Sequence, residues 1–292
     1  MANPKRRLPD NSPGDFYVDE TCIDCDTCRW IAPNTFFPVQ GQSAVKTQPQ
    51  NPEARHLALL AAVACPTASI GCLSPSPEMP EVRKAFPLLL EEDVYYCGYH
   101  SPKSYGAASY LIRRPQGNVL VDSPRQSETL AKRIEALGGI RWLYLTHGDD
   151  IADHEFWHSH FGCDRIMHSG DIARGNGVME KILDGEEVVD LDQDLRIIPV
   201  PGHTRGSTVL LYRNKFLFTG DHLAFSQRRE HLYAFRDACW YSWSETIRSM
   251  EKLKSYPFTW VLPGHGRRFH TEADNMQIQL EICVNWMRSN QA

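Results

Sequence analysis

The sequence predicts an α+β chain in two parts: a small cysteine-rich domain over 1–80, and a larger domain over 86–292 in which two sheets are sandwiched by helices. Three observations carry this. Five of the nine cysteines fall before residue 73. A proline-punctuated stretch, Leu73-Ser74-Pro75-Ser76-Pro77-Glu78-Met79-Pro80, comes next and reads as a linker. Beyond it, short apolar runs alternate with turn signals and helical patterns, and His and Asp recur just after the apolar runs.

Composition narrows the classes. The 292 residues suffice for one large domain and one small one. A net charge of −5 with 42% hydrophobic residues is ordinary for a globular protein and gives no nucleic-acid footprint. No apolar run approaches the roughly 18 residues of a membrane span. The basic start, Lys5-Arg6-Arg7, has no apolar segment behind it, so a secretory signal is not expected. An odd number of cysteines, clustered early, argues for metal binding in a reducing compartment rather than a disulfide framework. The cytoplasm is expected, or a plastid stroma after loss of a transit peptide. Oligomeric state leaves no signature here.

In the first part, Cys22-Ile23-Asp24-Cys25-Asp26-Thr27-Cys28 gives Cys-x-x-Cys-x-x-Cys, and Cys65-Pro66 adds a distant fourth thiol. Three cysteines at this spacing wrap a loop around one cluster, and the fourth closes the cage. A zinc site more often pairs two Cys-x-x-Cys knuckles. Between them, residues 53–63 read as a helix started by Pro52. Cys72 is left without a ligand role and reads as a buried free thiol. Over about residues 15–75, including Ala32-Pro33, Phe36 and Cys65-Pro66-Thr67, the segment resembles single-cluster bacterial ferredoxins. The resemblance implies a ferredoxin-like domain whose Cys22, Cys25, Cys28 and Cys65 hold one [4Fe–4S] cluster, with a redox partner to serve it.

In the second part, strands are expected at 94–99, 107–112 and 118–121, followed by a helix at 127–137 with Ser127 as N-cap and Gly138 as stop. The apolar run 142–145 then leads into Thr146-His147-Gly148-Asp149-Asp150-Ile151-Ala152-Asp153-His154. The like charges of three carboxylates in one short loop repel unless a cation neutralises them, and two imidazoles stand beside them, which points to metal. A helix at 156–161 and a strand at 165–167 follow. The strand 195–200 runs into Pro201-Gly202-His203-Thr204, and the hairpin 209–218 ends in Thr219-Gly220-Asp221-His222. After a helix at 244–253, the strand 259–262 precedes Pro263-Gly264-His265, and a helix spans 271–287. Every candidate ligand therefore sits in a loop just after a strand, where a rigid sheet aims it.

These loops resemble the metallo-β-lactamase superfamily over essentially all of residues 90–270, through Val119-Leu120-Val121-Asp122, Thr146-His147, Asp153-His154, Pro201-Gly202-His203-Thr204, Thr219-Gly220-Asp221 and Pro263-Gly264-His265. The resemblance implies an αββα sandwich with two divalent metals (zinc, iron or manganese) at the sheet edge. By carry-over His147 and His203 hold the first metal, Asp153, His154 and His265 the second, and Asp221 bridges them. Asp153 also orients the attacking hydroxide, which makes it the catalytic residue.

One departure bears on metal identity. Family members usually read His-x-His-x-Asp-His, whereas here the second histidine is absent and two extra residues precede Asp153-His154. Asp149 takes the missing place if the loop is extended, because alternate residues then face one way. Asp150 is the competing choice. A carboxylate in place of imidazole makes the site harder and more tolerant of iron or manganese.

The expected function is hydrolysis of a small ester, thioester or phosphoester. The alternative is a ferredoxin-coupled di-iron oxidoreductase on the same fold, since flavodiiron relatives carry a carboxylate where Asp149 stands. Glyoxalase II shares Pro-Gly-His-Thr but has a helical C-terminal region for its glutathione thioester. Only 27 residues follow His265 here, which counts against that substrate.

Overall fold

Asn11 shows how the small domain is tied together. Its Oδ1 accepts the amides of Val18 (2.9 Å) and Val45 (3.0 Å), and its Nδ2 donates to the carbonyls of Leu8 and Val18 (both 2.8 Å). One buried amide thereby closes the backbone groups of three segments that would otherwise lose their water without compensation. The structure is a computed structural model that describes residues 2–172 and 178–290. The chain divides into two units, Met1–Arg141 with Ala152–Gly162, and Trp142–Ile151 with Cys163–Ala292.

The first unit begins with β1 (Phe16–Val18), α1 (Thr27–Ile31), β2 (Phe36–Val39), β3 (Gln42–Val45), α2 (Pro52–Ala64) and β4 (Ile70–Cys72). Strand β1 pairs antiparallel with β4, and β2 with β3. Helix α2 starts where the sequence places it. Asn51 caps it by accepting the Ala54 amide at 2.8 Å, and Pro52 occupies the first turn, where no amide is needed. Its second half is buried on more than one face, at Ala58, Leu59, Leu60, Ala61, Val63 and Ala64. The proline stretch is held down. Arg55 donates to Ser76 and pairs with Glu78 and Asp15, and the stretch continues into α3 (Met79–Lys84).

Beyond it the same unit carries an antiparallel meander of β5 (Leu88–Glu91), β6 (Val94–Tyr96), β7 (Tyr110–Ile112) and β8 (Val119–Val121). Every residue of β7 and β8 is buried, as their unbroken apolar runs require. Helix α4 (Glu128–Ala136) has the expected Ser127 cap, whose hydroxyl accepts the Leu130 amide at 3.3 Å. Helix α5 (His154–Phe161) completes the unit.

The second unit opens with a parallel set: β9 (Trp142–Tyr144) and β11 (Lys181–Leu183) flank β10 (Asp164–His168), which leads into α6 (Ser169–Ile172). A six-stranded sheet in the order β12-β13-β14-β15-β18-β19 uses Val189–Asp192, Leu195–Pro199, Thr208–Tyr212, Phe216–Gly220, Trp260–Pro263 and Phe269–His270. Its pairs are antiparallel except β15 with β18. The hairpin of β16 (Ala224–Ser226) and β17 (His231–Tyr233) lies between β15 and β18 in sequence. One face of the large sheet packs under α7 (Trp243–Leu253) and α8 (Ala273–Ser289). Ile198, Val209, Leu211 and Val261 meet Met250, Leu253, Leu280 and Val284 in a single apolar cluster. Full burial of such side chains contributes roughly 1.5–3 kcal/mol each, so the strand ends that carry the candidate ligands are anchored firmly.

Candidate metal centres

In the first unit Cys22, Cys25, Cys28 and Cys65 line one enclosed cavity together with Thr27, Ser43, Thr67 and Ser69. The loop bends because Asp24 and Asp26 take left-handed φ values of 60° and 64°. Arg29 pairs with both carboxylates and pins the turn. Backbone amides point at sulfur: Ser43 donates to Cys22 Sγ and Ser69 to Cys65 Sγ, both at 3.3 Å. Burial pushes the Cys25 thiol up to about 11 and raises Cys28 further, and the neighbouring thiols add to both. Thiols that resist ionisation this way need a cationic centre among them to become ligands, and the donor set and amides fit an iron–sulfur cube. Cys72 does not line the cavity. It lies half-buried at the end of β4, not fully buried as expected.

Part of the wall around Cys25 comes from beyond the proline stretch. A Cβ on Gly106 would stand 2.7 Å from Cys25 Cβ, and its φ is +87°. His100 is buried, with Nδ1 hydrogen-bonded to the Gly106 carbonyl (2.6 Å) and the Thr27 hydroxyl (3.0 Å) and Nε2 to Tyr96. Thr27 in turn lies 3.4 Å from Cys25 Sγ. His100 is thereby packed beside the cysteine cage.

In the second unit the loops after β9, β13, β15 and β18 bring their acids and imidazoles together. His203 Nε2 lies 3.4 Å from Asp149 Oδ2 and 3.8 Å from Asp221 Oδ2. His147 Nε2 lies 3.8 Å from Asp221 Oδ2 and 3.9 Å from Asp150 Oδ2. The His265 ring nitrogen Nδ1 reaches the two Asp221 oxygens at 2.8 and 2.9 Å, and its amide donates to Oδ1. Two groups could each hold an ion, His147-Asp149-His203 and His147-Asp150-Asp221, with donor atoms within 4.8 Å of one another in each. Tetrahedral ligands about 2.1 Å from zinc stand about 3.4 Å apart, so this spacing fits a cation at either group, and His147 offers its Nε2 to one of them at a time.

The electrostatics agree. His147 Nε2 and both ring nitrogens of His203 are buried and have no hydrogen-bond partner among the described residues. A buried polar group without one costs about 1–3 kcal/mol, and a metal ion removes that cost. Burial, against the pull of Asp221, drops His147 to about 4, so its ring is neutral and ready to ligate. Burial alone would raise Asp221. His265, His147 and His203 outweigh it and hold the carboxylate ionised, well below the usual range. Close approach is built in: a Cβ on Gly264 would stand 2.6 Å from Asp150 Oδ2, and one on Gly220 2.4 Å from Thr146 Oγ1.

Asp149 and Asp150 both approach His147, Asp149 together with His203 and Asp150 together with Asp221. Asp153 and His154 belong to the first unit. There the Asp153 carboxylate pairs with Lys103 through Oδ1 and accepts the Gln126 amide through Oδ2 at 2.8 Å, while His154 is buried at the start of α5. Lys103 lies 50 residues upstream and carries no sequence signal.

The surroundings separate other candidates. Asp171 is buried and accepts three hydrogen bonds, from Gly148 N (2.9 Å), Thr204 Oγ1 (2.6 Å) and Gly206 N (3.0 Å). It holds the His147 and His203 loops in one arrangement, a role that three separated segments gave no pattern to reveal. His168 bonds the Gly185 carbonyl and the Gly170 amide, as a polar cap. Trp240 and Tyr241, whose amides donate to the His203 carbonyl, are 60% and 50% exposed, whereas Trp243 packs against the core.

Comparison with known proteins follows this division. Residues 18–72 match the 4Fe-4S single cluster domain of Ferredoxin I. Residues 105–265, more than half of the chain, match the metallo-beta-lactamase superfamily. The chain belongs to that superfamily. Its fold is accordingly the expected one, a ferredoxin-like segment followed by the superfamily's sandwich. A hydroxyacylglutathione hydrolase from Rhodospirillum rubrum is 31% identical over 162 residues, which cover 53% of this chain and 60% of that relative. The chain thus spans less than two thirds of the curated relative it matches. Among solved structures, VMB-1 is 20% identical with a TM-score of 0.55, covering 70% of this chain and 96% of its own. A metallo-beta-lactamase from Hirschia baltica is 17% identical with a TM-score of 0.52, covering 68% and 96%. These two share the superfamily fold. No helix among the described residues is long and apolar enough to cross a membrane.

Proposed function

We propose that the chain is a metal-dependent hydrolase of the ester, thioester or phosphoester class, with one [4Fe–4S] cluster in a domain over 1–80 and two divalent ions in a domain over 86–292. The observation that carries this reading is the cluster of buried imidazole nitrogens without hydrogen-bond partners, on His147 and His203, set among the carboxylates of Asp149, Asp150 and Asp221. Ions held there would supply an activated water and Lewis-acid stabilisation of developing charge.

The chain's own residues have distinct tasks in this reading. His147, His203 and Asp149 hold the first ion. Asp221, with one oxygen 3.8 Å from both imidazoles, is the bridge. His265 serves the second ion, and Asp150 lies on the same side as Asp221. Asp153 and His154 keep the role the family resemblance implies, as ligands of the second ion, with Asp153 orienting the attacking water. Trp240 and Tyr241 would bind an apolar or planar part of a small-molecule substrate beside His203. The named relative supports the thioester class, without extending to glutathione as the substrate.

A second reading has its own support. Asp149 and Asp150 both at His147 give an oxygen-rich site that suits iron better than an all-imidazole one. It would make the protein a di-iron oxidoreductase fed by the cluster and an external redox partner. Anaerobic purification with metal and sulfide counts separates the two. About four iron and two zinc per chain is the result expected of a hydrolase, and about six iron would overturn that in favour of redox chemistry.

A further inference from the structure

The imidazole of His100 is held between an acceptor on one nitrogen and a donor on the other, and this sets the direction of the hydrogen bonds that reach the cysteine cage. Nδ1 lies 2.6 Å from the Gly106 carbonyl, which can only accept, so Nδ1 carries a hydrogen. That leaves Nε2 to accept the Tyr96 hydroxyl at 2.5 Å. Thr27 Oγ1 lies 3.0 Å from Nδ1 and 3.4 Å from Cys25 Sγ. A nitrogen that carries hydrogen cannot accept from Thr27, so the hydrogen of the threonine is left for the sulfur. Once bonded to iron, that sulfur has no hydrogen of its own and can only accept. Against burial, Thr27 also favours the ionised Cys25 sulfur, through its hydroxyl and its amide.

The arrangement at Cys65 is the opposite. Thr67 Oγ1 lies 3.7 Å from that sulfur, but Thr67, Ser69 and Thr21 form a row of hydroxyls, 2.6 and 2.8 Å apart, that ends on the Asp19 carboxylate. A carboxylate accepts, so each hydroxyl in the row donates towards it, and the Thr67 hydrogen is drawn away from the sulfur. Of the two hydroxyl chains, the one through Thr27 brings a donor to the cage. Its members are firmly placed. His100 donates its amide to the Ala64 carbonyl at 3.2 Å, next to Cys65. Trp30 and Phe86 stand edge-on to Tyr96, with ring centres 5.1 and 5.6 Å away. Tyr96, His100 and Thr27 are all buried, and away from water each bond polarises the next.

We propose that Tyr96, His100 and Thr27 form a hydrogen-bond relay that presents a donor to the Cys25 sulfur and raises the reduction potential of the cluster in the cage. This rests on the assignment of a [4Fe–4S] cluster to the four cysteines. One electron, supplied from outside the chain, places more negative charge on the ligand sulfurs, and a donor aimed at one of them favours that state. No proton is transferred. Thr27 keeps its hydrogen, and only the strength of its bond to sulfur changes. Tyr96 and His100 act through Thr27, so they are positioning residues, and both come from beyond the proline stretch.

The test uses the full chain, purified anaerobically, with iron and sulfide counted and the potential read by mediated spectroelectrochemistry. Thr27→Val should keep the cluster and lower its potential by about 59 mV, a tenfold change in the one-electron equilibrium. Thr27→Ser, which retains the hydroxyl, should stay at the wild-type value. Tyr96→Phe should lower the potential by less, and should add nothing in the Thr27→Val background. A wild-type potential in Thr27→Val would overturn the relay, and so would a Tyr96→Phe variant that leaves the potential unchanged; the cluster assignment survives both. A wild type with neither iron nor sulfide would overturn that assignment itself. Should Thr27→Val not hold its cluster, Tyr96→Phe decides alone: a lower potential supports the relay, and the wild-type value rejects it.

Discussion

The Asp171 carboxylate receives the Thr204 hydroxyl at 2.6 Å, and with it the amides that flank both histidine loops. Asp171 belongs to neither donor group, yet it ties the loops of His147 and His203 to each other. Partners of this kind typically carry a 10–100-fold effect on metal affinity. Asp171→Asn keeps the shape but turns one acceptor into a donor facing N–H groups. Chelator competition on this variant should show first-ion affinity lower by roughly 10–100-fold with the cluster spectrum unchanged. Equal affinity in the two proteins would show that the loops hold themselves.

Restoring an imidazole tests what Asp149 contributes. Asp149 Oδ2 lies 3.4 Å from His203 Nε2, so Asp149→His would give the first ion three nitrogen donors. The expected outcome is a larger zinc share, relative to iron and manganese, in the bound metal of the variant than in that of the wild type, read by elemental analysis after growth in a mixed-metal medium. Unchanged metal ratios would mean that Asp149 does not set the preference.

Gly106 offers a prediction for the cage alone. A methyl group there would stand 2.7 Å from Cys25 Cβ, at a φ of +87° that side chains adopt at a cost of about 1 kcal/mol or more. Gly106→Val should lower iron and sulfide per chain while ion binding at His147 and His203 survives. A full complement of cluster in that variant would show that the wall around Cys25 yields.

Acid stability should expose one ion pair. Arg165 donates to both oxygens of Glu180 at 2.9 and 2.7 Å, and this hydrogen bonding holds the Glu180 carboxyl down at about 2. A carboxyl depressed in the folded state stabilises it above the unfolded pKa near 4.5, and the contribution fades as pH falls from there towards 2. Glu180→Gln should therefore be less stable than wild type by roughly 2 kcal/mol at pH 6, with the gap closing between pH 4.5 and 2. Urea melts across that range would measure it, and a gap independent of pH would point to packing instead.

The sequence was informative wherever chemistry is local. Cysteine spacing, Pro52 and Asn51 at the start of α2, Ser127 at α4, and histidines placed after apolar runs all act within a few residues. The choice between Asp149 and Asp150 turns on local geometry as well. Alternation assumes an extended segment, but the chain turns at Gly148–Asp149 and Ala152 has a φ of 33°. Both acids are thereby swung towards His147. Lys103 with Asp153 and Arg125 with Cys65 join residues 50 and 60 positions apart, and nothing in either stretch marks its partner. The prolines at 75, 77 and 80 read as a free linker because composition is blind to Arg55, which fastens that stretch by Ser76 and Glu78.

That fastening, with Gly106 against Cys25 and His100 against Ala64, has a consequence for electron traffic. Electron carriers on flexible tethers swing out to collect charge and swing back to deliver it. A cage walled in part by residues from both sides of the proline stretch has no such freedom. Any protein that exchanges electrons with this cluster must come to a fixed face of the first unit and dock there.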